Sequence, residues 1–252
     1  MNPYLVAAAV ALLVLVGAAI GGWLRERLPR HHLDDESREM VKVGIGFLST
    51  LAALVLGLLI SSAKDSFDTV SKHVESTATE ILQLDGNLRE LGAAGEPARE
   101  LLRRVLARTL AELWGDGAEV QGQSTSAGAA GIFELQKILR ALSPADAAGA
   151  SARARALQLS EQLVQVHAAT LAHRASSISF PLLAVLVFWL MIISLGQNLL
   201  SPTHGTIHAI NVLCALSIAG AILLTLEMDQ PYGGLVRVSD APLRAALQQL
   251  DR

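Results

Sequence analysis

The sequence predicts an all-α integral membrane protein: four transmembrane helices in two hairpins, with a helical soluble domain between them. Three observations carry this. First, the runs Tyr4–Leu24, Val43–Ala63, Ile178–Leu200 and Ile207–Leu226 contain no Asp, Glu, Lys or Arg. Each is close to the roughly 20 residues a helix needs to cross about 30 Å of hydrocarbon. A helix also satisfies its own backbone hydrogen bonds, as lipid requires. Second, hydrophobic residues make up 52% of the chain and charged residues 17%, both displaced from soluble averages in the membrane direction. Third, Phe67, Val70, Val74, Thr77, Ile81, Leu84, Leu88 and Leu91 alternate at spacings of three and four, the pattern of a helical seam.

In chain order, residues 1–63 form the first hairpin, 64–177 the soluble domain, 178–226 the second hairpin and 227–252 a tail on the soluble-domain side. The first run lacks a positive n-region and ends in Arg25-Glu26-Arg27, so it reads as a retained span rather than a cleaved signal. Tyr4 and Trp23 stand at its two ends, as interfacial anchors do. No helix breaker separates the second span from the heptad seam, which predicts one helix running to about Leu91. The seam can pack within one subunit, line an axis shared by about five copies, or do both with different faces. Gly92, Gly95 and Pro97 then mark a turn. A second amphipathic helix carries Leu101, Leu102, Val105, Leu106, Leu110 and Leu113. The Gly-, Ser- and Ala-rich stretch Gly115–Gly131 reads as a flexible linker, and Ile132–Leu142 as a short helix. Ser143-Pro144-Ala145-Asp146 predicts a helix start with Ser143 at the N-cap. That helix runs to about Ala175 and feeds the third span.

Charge and motifs narrow the function. A net charge of −3 does not suggest a nucleic-acid partner. Cys214, the single cysteine, lies within the fourth span and says nothing of redox compartment. The chain has no phosphate loop, dinucleotide fingerprint, zinc helix or nucleophile elbow, and no ionisable pair within a span. The expectation is therefore a non-enzyme with no cofactor. His31-His32-Leu33-Asp34-Asp35-Glu36 holds metal-ligand residue types, but a cluster this short in a loop reads as solvated and no metal site is assigned. Asn211 and Ser217 are expected to hydrogen-bond to neighbouring helices.

The second span carries the most suggestive pattern. Thr50, Leu54, Leu58 and Ser61/Ser62 form one i, i+4 stripe, apolar in the middle and polar at its end, running on to Lys64 and Asp65. Such a stripe suits a narrow pore whose apolar ring gates by dewetting, or ordinary helix and lipid contact with Gly57 allowing close packing. Glu227 and Asp229 close the fourth span, where acids oppose the helix dipole unless paired. Arg237 and Arg244 are the candidates for pairing. The acids could dock the tail or form a pore mouth.

Leu54–Asp68 and the tail Leu226–Leu247, which begins Leu-Glu-Met-Asp-Gln-Pro-Tyr-Gly-Gly-Leu-Val-Arg-Val-Ser-Asp-Ala-Pro-Leu-Arg, resemble the bacterial bestrophin-like family. Members of that family show an acidic pair, a proline–aromatic–glycine turn and a Val-Ser-x-x-Pro-Leu-Arg-like ending. True bestrophins are pentameric anion channels, and the resemblance implies a homo-oligomer, most simply a pentamer, in a lipid bilayer and passing ions. Their neck-helix pattern, aromatic-Val-Leu-Gly-aromatic, is similar to Leu54-Val55-Leu56-Gly57-Leu58. It places the neck on Thr50, Leu54 and Leu58, with leucines where bestrophins have aromatics. Pro231-Tyr232-Gly233 keeps the family turn, but Gly234-Leu235-Val236-Arg237 replaces an acidic calcium clasp, so calcium gating is not carried over. The resemblance implies an inner-membrane protein with a cytoplasmic soluble domain. Basic residues in the first loop, Arg25, Arg27, Arg30, Arg38 and Lys42, lean the other way. The expected function is a homo-oligomeric ion channel with a hydrophobic neck. The alternative is a non-conducting membrane scaffold or signalling module whose coiled soluble region binds a partner.

Overall fold

The computed structural model describes residues 2–28, 35–115, 124–144, 146–174, 180–201 and 204–251. Among them the regular structure is helical, with no strand. The helices are α1 (Pro3–Arg27), α2 (Asp35–Glu90), α3 (Glu96–Trp114), α4 (Ser124–Ala141), α5 (Ala147–Arg174), α6 (Phe180–Leu200), α7 (Gly205–Met228) and α8 (Ala241–Leu250), with a 3-10 turn at Gly92–Ala94. Four of them, α1, α2, α6 and α7, are long and apolar enough to cross a membrane. The chain forms two compact units, one comprising Met1–Ser66 with Ser177–Asp229, the other Phe67–Ser176 with Gln230–Arg252.

The first unit is a bundle of spanning helices. Asn2 caps α1 by accepting from the Tyr4 amide at 3.1 Å, and Pro3 sits in the first turn, where its missing N–H is harmless. Arg25 and Arg27 close the helix, where its dipole favours cations. Arg25 also donates to the Ser201 carbonyl, and the Arg27 guanidinium lies 4.5 Å from the Trp23 ring centre. Neighbours in sequence are not the tightest neighbours in space: α1 packs most closely on α6 and α7. Two glycines permit this. A Cβ on Gly17 would come 2.6 Å from the Met191 carbonyl oxygen, and one on Gly21 2.2 Å from that of Leu195. This is the small-x-x-x-small approach of membrane helices, where close backbone packing replaces a hydrophobic driving force. Val10 and Val14 then meet Leu183 of α6 and Ala215 and Ile222 of α7. On α2, Ala52 and Leu59 pack on Leu186. Asn198 and Asn211 exchange side-chain hydrogen bonds between α6 and α7, the shorter 2.6 Å, as expected for Asn211. Ser217 departs from expectation: it donates to Leu213 of its own helix at 2.8 Å.

The second unit surrounds the remainder of α2. Val70, Val74, Ile81, Leu84 and Leu88 are buried with residues of α3, α4, α5 and α8, so the heptad seam is a core within one protomer. Two sequence expectations change here. Helix α4 starts at Ser124, so residues 124–131 are helical rather than linker; residues 116–123 lie outside the described residues. The glycine content has a packing cause: a Cβ on Gly131 would come 2.4 Å from a Val105 methyl, so glycine lets α4 lie close against α3. Helix α5 starts at Ala147 with Asp146, not Ser143, as its cap. The Asp146 carboxylate accepts from the Gly149 amide at 2.7 Å, and its carbonyl from Ala150 at 3.1 Å.

Candidate functional site

Helix α2 is a single helix of 56 residues, and from Ala52 onward one face is buried and another open. At about 100° per residue, Ala52, Leu59 and Ala63 share an azimuth in the spanning part, as Val70, Val74, Ile81 and Leu88 do in the soluble part, and all are buried. The opposite azimuth carries Thr50, Leu54, Leu58 and Ser61, with Ser62 about 80° round from Leu54. All five are exposed in the protomer, Leu54 at 63% and Leu58 at 58%. Gly57 lies on the same side, and nothing stands within 4 Å of where its Cβ would be. The Thr50 hydroxyl donates to the Gly46 carbonyl at 3.0 Å, which turns its hydrogen back to the helix. Leu56 is half-buried and Leu59 buried, so they lie off the open stripe.

Lys64 and Asp65 are exposed at the end of this stripe, and each takes part in a further polar or electrostatic contact. Glu227 is 2% exposed in the last turn of α7, hydrogen-bonded to the side chain of Tyr4 near the start of α1. The start of α1 is the positive end of a helix dipole, which offsets the unfavourable end of α7. Tyr4 is thus a partner for a buried acid, a role that its position as an interfacial aromatic did not reveal. Asp229 caps α7, its amide donating to the Thr225 carbonyl at 3.3 Å. Arg237 and Arg244 make contacts within their own segment: Arg237 donates to the Gly234 carbonyl at 2.9 Å, and Arg244 pairs with Asp240.

The tail is ordered by contacts the sequence did not signal. Gly233 donates to the Gln230 carbonyl at 3.1 Å, closing a turn with Pro231 at its second position. Gly234 has φ of +80°, a conformation that favours glycine. Tyr232 meets Trp114 edge-on with ring centres 5.2 Å apart, and the Trp114 indole donates to the Val238 carbonyl at 2.9 Å. The end of α8 is held by arginines: Arg89 donates to the Gln249 carbonyl at 3.1 Å and Arg99 to that of Leu250 at 3.5 Å. Both arginines bracket buried Asp85, at 2.8 and 2.7 Å. The Asp85 hydrogen bond raises the Arg99 guanidinium above its ordinary value. A groove of about 340 Å³ between α3 and α8 is lined by Leu110, Trp114, Leu247 and Arg244, whose charge Asp240 balances.

No group of three or more metal-ligating side chains occurs among the described residues. The His31–Asp34 part of the loop cluster lies outside them, and Asp35 and Glu36 begin α2.

A profile of the Bestrophin-like domain matches residues 12–243. No curated protein matches the chain. The crystal structure of a bacterial bestrophin homolog from Klebsiella pneumoniae, carrying a point mutation, superposes with a TM-score of 0.56 at 14% identity, covering 97% of this chain and 96% of that one. At that identity the likeness is one of fold. With the family profile spanning nearly all of the described helices, the chain belongs to the Bestrophin-like family.

Proposed function

We propose that this protein is a homo-oligomeric ion channel of bestrophin type, in which the open face of α2 lines a central pore. The observation that carries the proposal is the course of that face. Leu54 and Leu58 alone would suit lipid, but the same azimuth passes through Ser61 to Asp65, both exposed. A wall that turns from apolar to hydroxyl to charged along one helix face suits a lumen with a dry ring and a wet exit. Thr50, Leu54 and Leu58 form the constriction, and Ser61, Ser62, Lys64 and Asp65 the polar exit. Glu227, Asp229 and Arg237 belong to the segment where α7 passes into the tail. A pentamer in the bacterial inner membrane, with the soluble unit in the cytoplasm, is the assembly the family resemblance suggests. The alternative is a membrane scaffold whose coiled soluble region binds a partner; the heptad seam, buried inside the protomer, would not be the surface it uses.

Planar-bilayer recording of purified protein tests this. Leu58→Ser makes the apolar ring wettable and raises conductance or open probability. The same change at Leu56 or Leu59, which point elsewhere, does not. Equal effects at the three positions, or no current in any variant, would leave the scaffold reading the better one.

A further inference from the structure

The face of α1 turned away from its bundle is apolar for the thickness of a bilayer, and then changes character within one turn. Helix geometry puts Leu5, Leu12, Val16, Ile20 and Trp23 within about 80° of one another. All are exposed, Leu12 at 63% and Trp23 at 53%. From Leu5 to Trp23 the row runs about 27 Å at 1.5 Å per residue, close to the hydrocarbon depth of a bilayer. Beyond it, on the same side, stand two exposed groups of opposite charge, Glu26 and Arg27. The azimuth of Trp23 falls between theirs, about 60° from Glu26 and about 40° from Arg27. Arg25, in the same turn, is directed elsewhere, to the Ser201 carbonyl beyond the end of α6. The Arg27 guanidinium lies over the Trp23 ring, which leaves its N–H donors to an acceptor outside the protein. Among the described residues neither Glu26 nor Arg27 has an ion-pair partner. Ala19 is exposed on the same face, so the row is notched between Val16 and the indole.

We propose that this end of α1 binds a phospholipid with a primary-amine headgroup, of which phosphatidylethanolamine is the simplest. The phosphate meets the Arg27 N–H donors, and the ammonium meets the Glu26 carboxylate. The headgroup rests against the Trp23 indole, and an acyl chain lies along Ala19, Val16 and Leu12. Charge complementarity selects this occupant: one anion and one cation on the lipid face one of each on the helix. A phosphate held by a guanidinium and an ammonium held by a carboxylate are both charge-assisted hydrogen bonds, the stronger kind. A lipid with net negative charge would satisfy Arg27 but meet Glu26 as a like charge. A choline headgroup, whose methylated nitrogen donates no hydrogen bond, would need the aromatic face, and Arg27 already stands over that ring. A tryptophan alone at this depth anchors a helix to any bilayer. The two opposite charges on either side of it are what make the position selective. The proposal concerns the span α1 alone and does not depend on α2 lining a pore.

Native mass spectrometry of the purified, delipidated protein tests this. Phosphatidylethanolamine, phosphatidylglycerol and phosphatidylcholine of one acyl composition are added in turn. The expected result is that bound lipid appears at the lowest concentration for phosphatidylethanolamine. Arg27→Gln weakens its retention about tenfold, as loss of a hydrogen bond to a charged group should. Glu26→Gln lowers retention of phosphatidylethanolamine and raises that of phosphatidylglycerol, so the preference disappears. Lys137→Gln, an exposed base of the soluble unit, leaves all three as in wild type. Where Arg27→Gln does not elute as wild type does, Glu26→Gln alone decides. A wild-type preference for phosphatidylglycerol or phosphatidylcholine overturns the proposal. So does retention in Arg27→Gln and Glu26→Gln that is indistinguishable from wild type. A Trp23→Ala variant whose oligomer falls apart would show that this face meets a second copy of the chain, and that too overturns it.

Discussion

Replacing Leu84 with alanine tests the division of α2 into a packed face and an open one. Leu84 is fully buried, in the core that joins α2 to α3, α4, α5 and α8. The change removes three carbons from a site with no solvent access. At about 0.8 kcal/mol per buried carbon the transfer loss is about 2.4 kcal/mol. A cavity that relaxes only in part brings the total to about 3–4 kcal/mol. For a unit of this size each kcal/mol shifts the midpoint by roughly 2–4 °C, so a fall of about 10 °C is expected. Leu58→Ala removes the same atoms from a residue that is 58% exposed in the protomer. It should alter the protomer's own midpoint by about 1 °C or less, since exposed positions change stability little. The assay is thermal unfolding in detergent followed by intrinsic fluorescence, all variants at one scan rate because membrane proteins unfold irreversibly. Ile81→Asp and Leu84→Asp are the severe forms: an unpaired charge in this core should abolish folded protein. An unchanged midpoint for Leu84→Ala, together with a large fall for Leu58→Ala, would mean that the faces are assigned the wrong way round.

Gly21→Val should separate α1 from α6, since even a Cβ would lie 2.2 Å from the Leu195 backbone oxygen; the expected readout is loss of monodisperse protein, whereas Gly22→Ala, with nothing within 4 Å, should behave as wild type. Orientation is tested by C-terminal fusions: alkaline phosphatase should be inactive and a fluorescent protein should glow, and the reverse pattern would place the soluble unit outside.

The amino-acid sequence alone reached the helices whose signal is local. The spans were legible because a run free of Asp, Glu, Lys and Arg has one stable form in lipid. The continuity of the second span into the soluble region was legible because no breaker interrupts it, and the structure gives one helix, Asp35–Glu90. The spacing of Val70 to Leu88 marked a buried seam, and the residues are buried. The family, too, was carried by short motifs in α2 and the tail.

Elsewhere the local signal was misread or silent. Gly131 looked like linker composition, yet its lack of a side chain admits Val105. Ser143 looked like a cap, yet Asp146 supplies the carboxylate that the Gly149 amide uses. The Tyr4–Glu227 contact joins helices at opposite ends of the chain, and no spacing along the sequence could reveal it. The same holds for Trp114 with Tyr232 and for Asp85 with Arg99. The sequence by itself determined which segments are helices, which of them suit a membrane and which stripe of α2 could be special. Within the span, only the tertiary structure decided which stripe is covered. A helix presents several apolar rows with nearly equal claims to burial, and the choice falls to whichever row meets complementary side chains from segments far away in the chain. For the span of α2 that row is Ala52, Leu59 and Ala63, and the row through Thr50, Leu54 and Leu58 remains open on the protomer's surface.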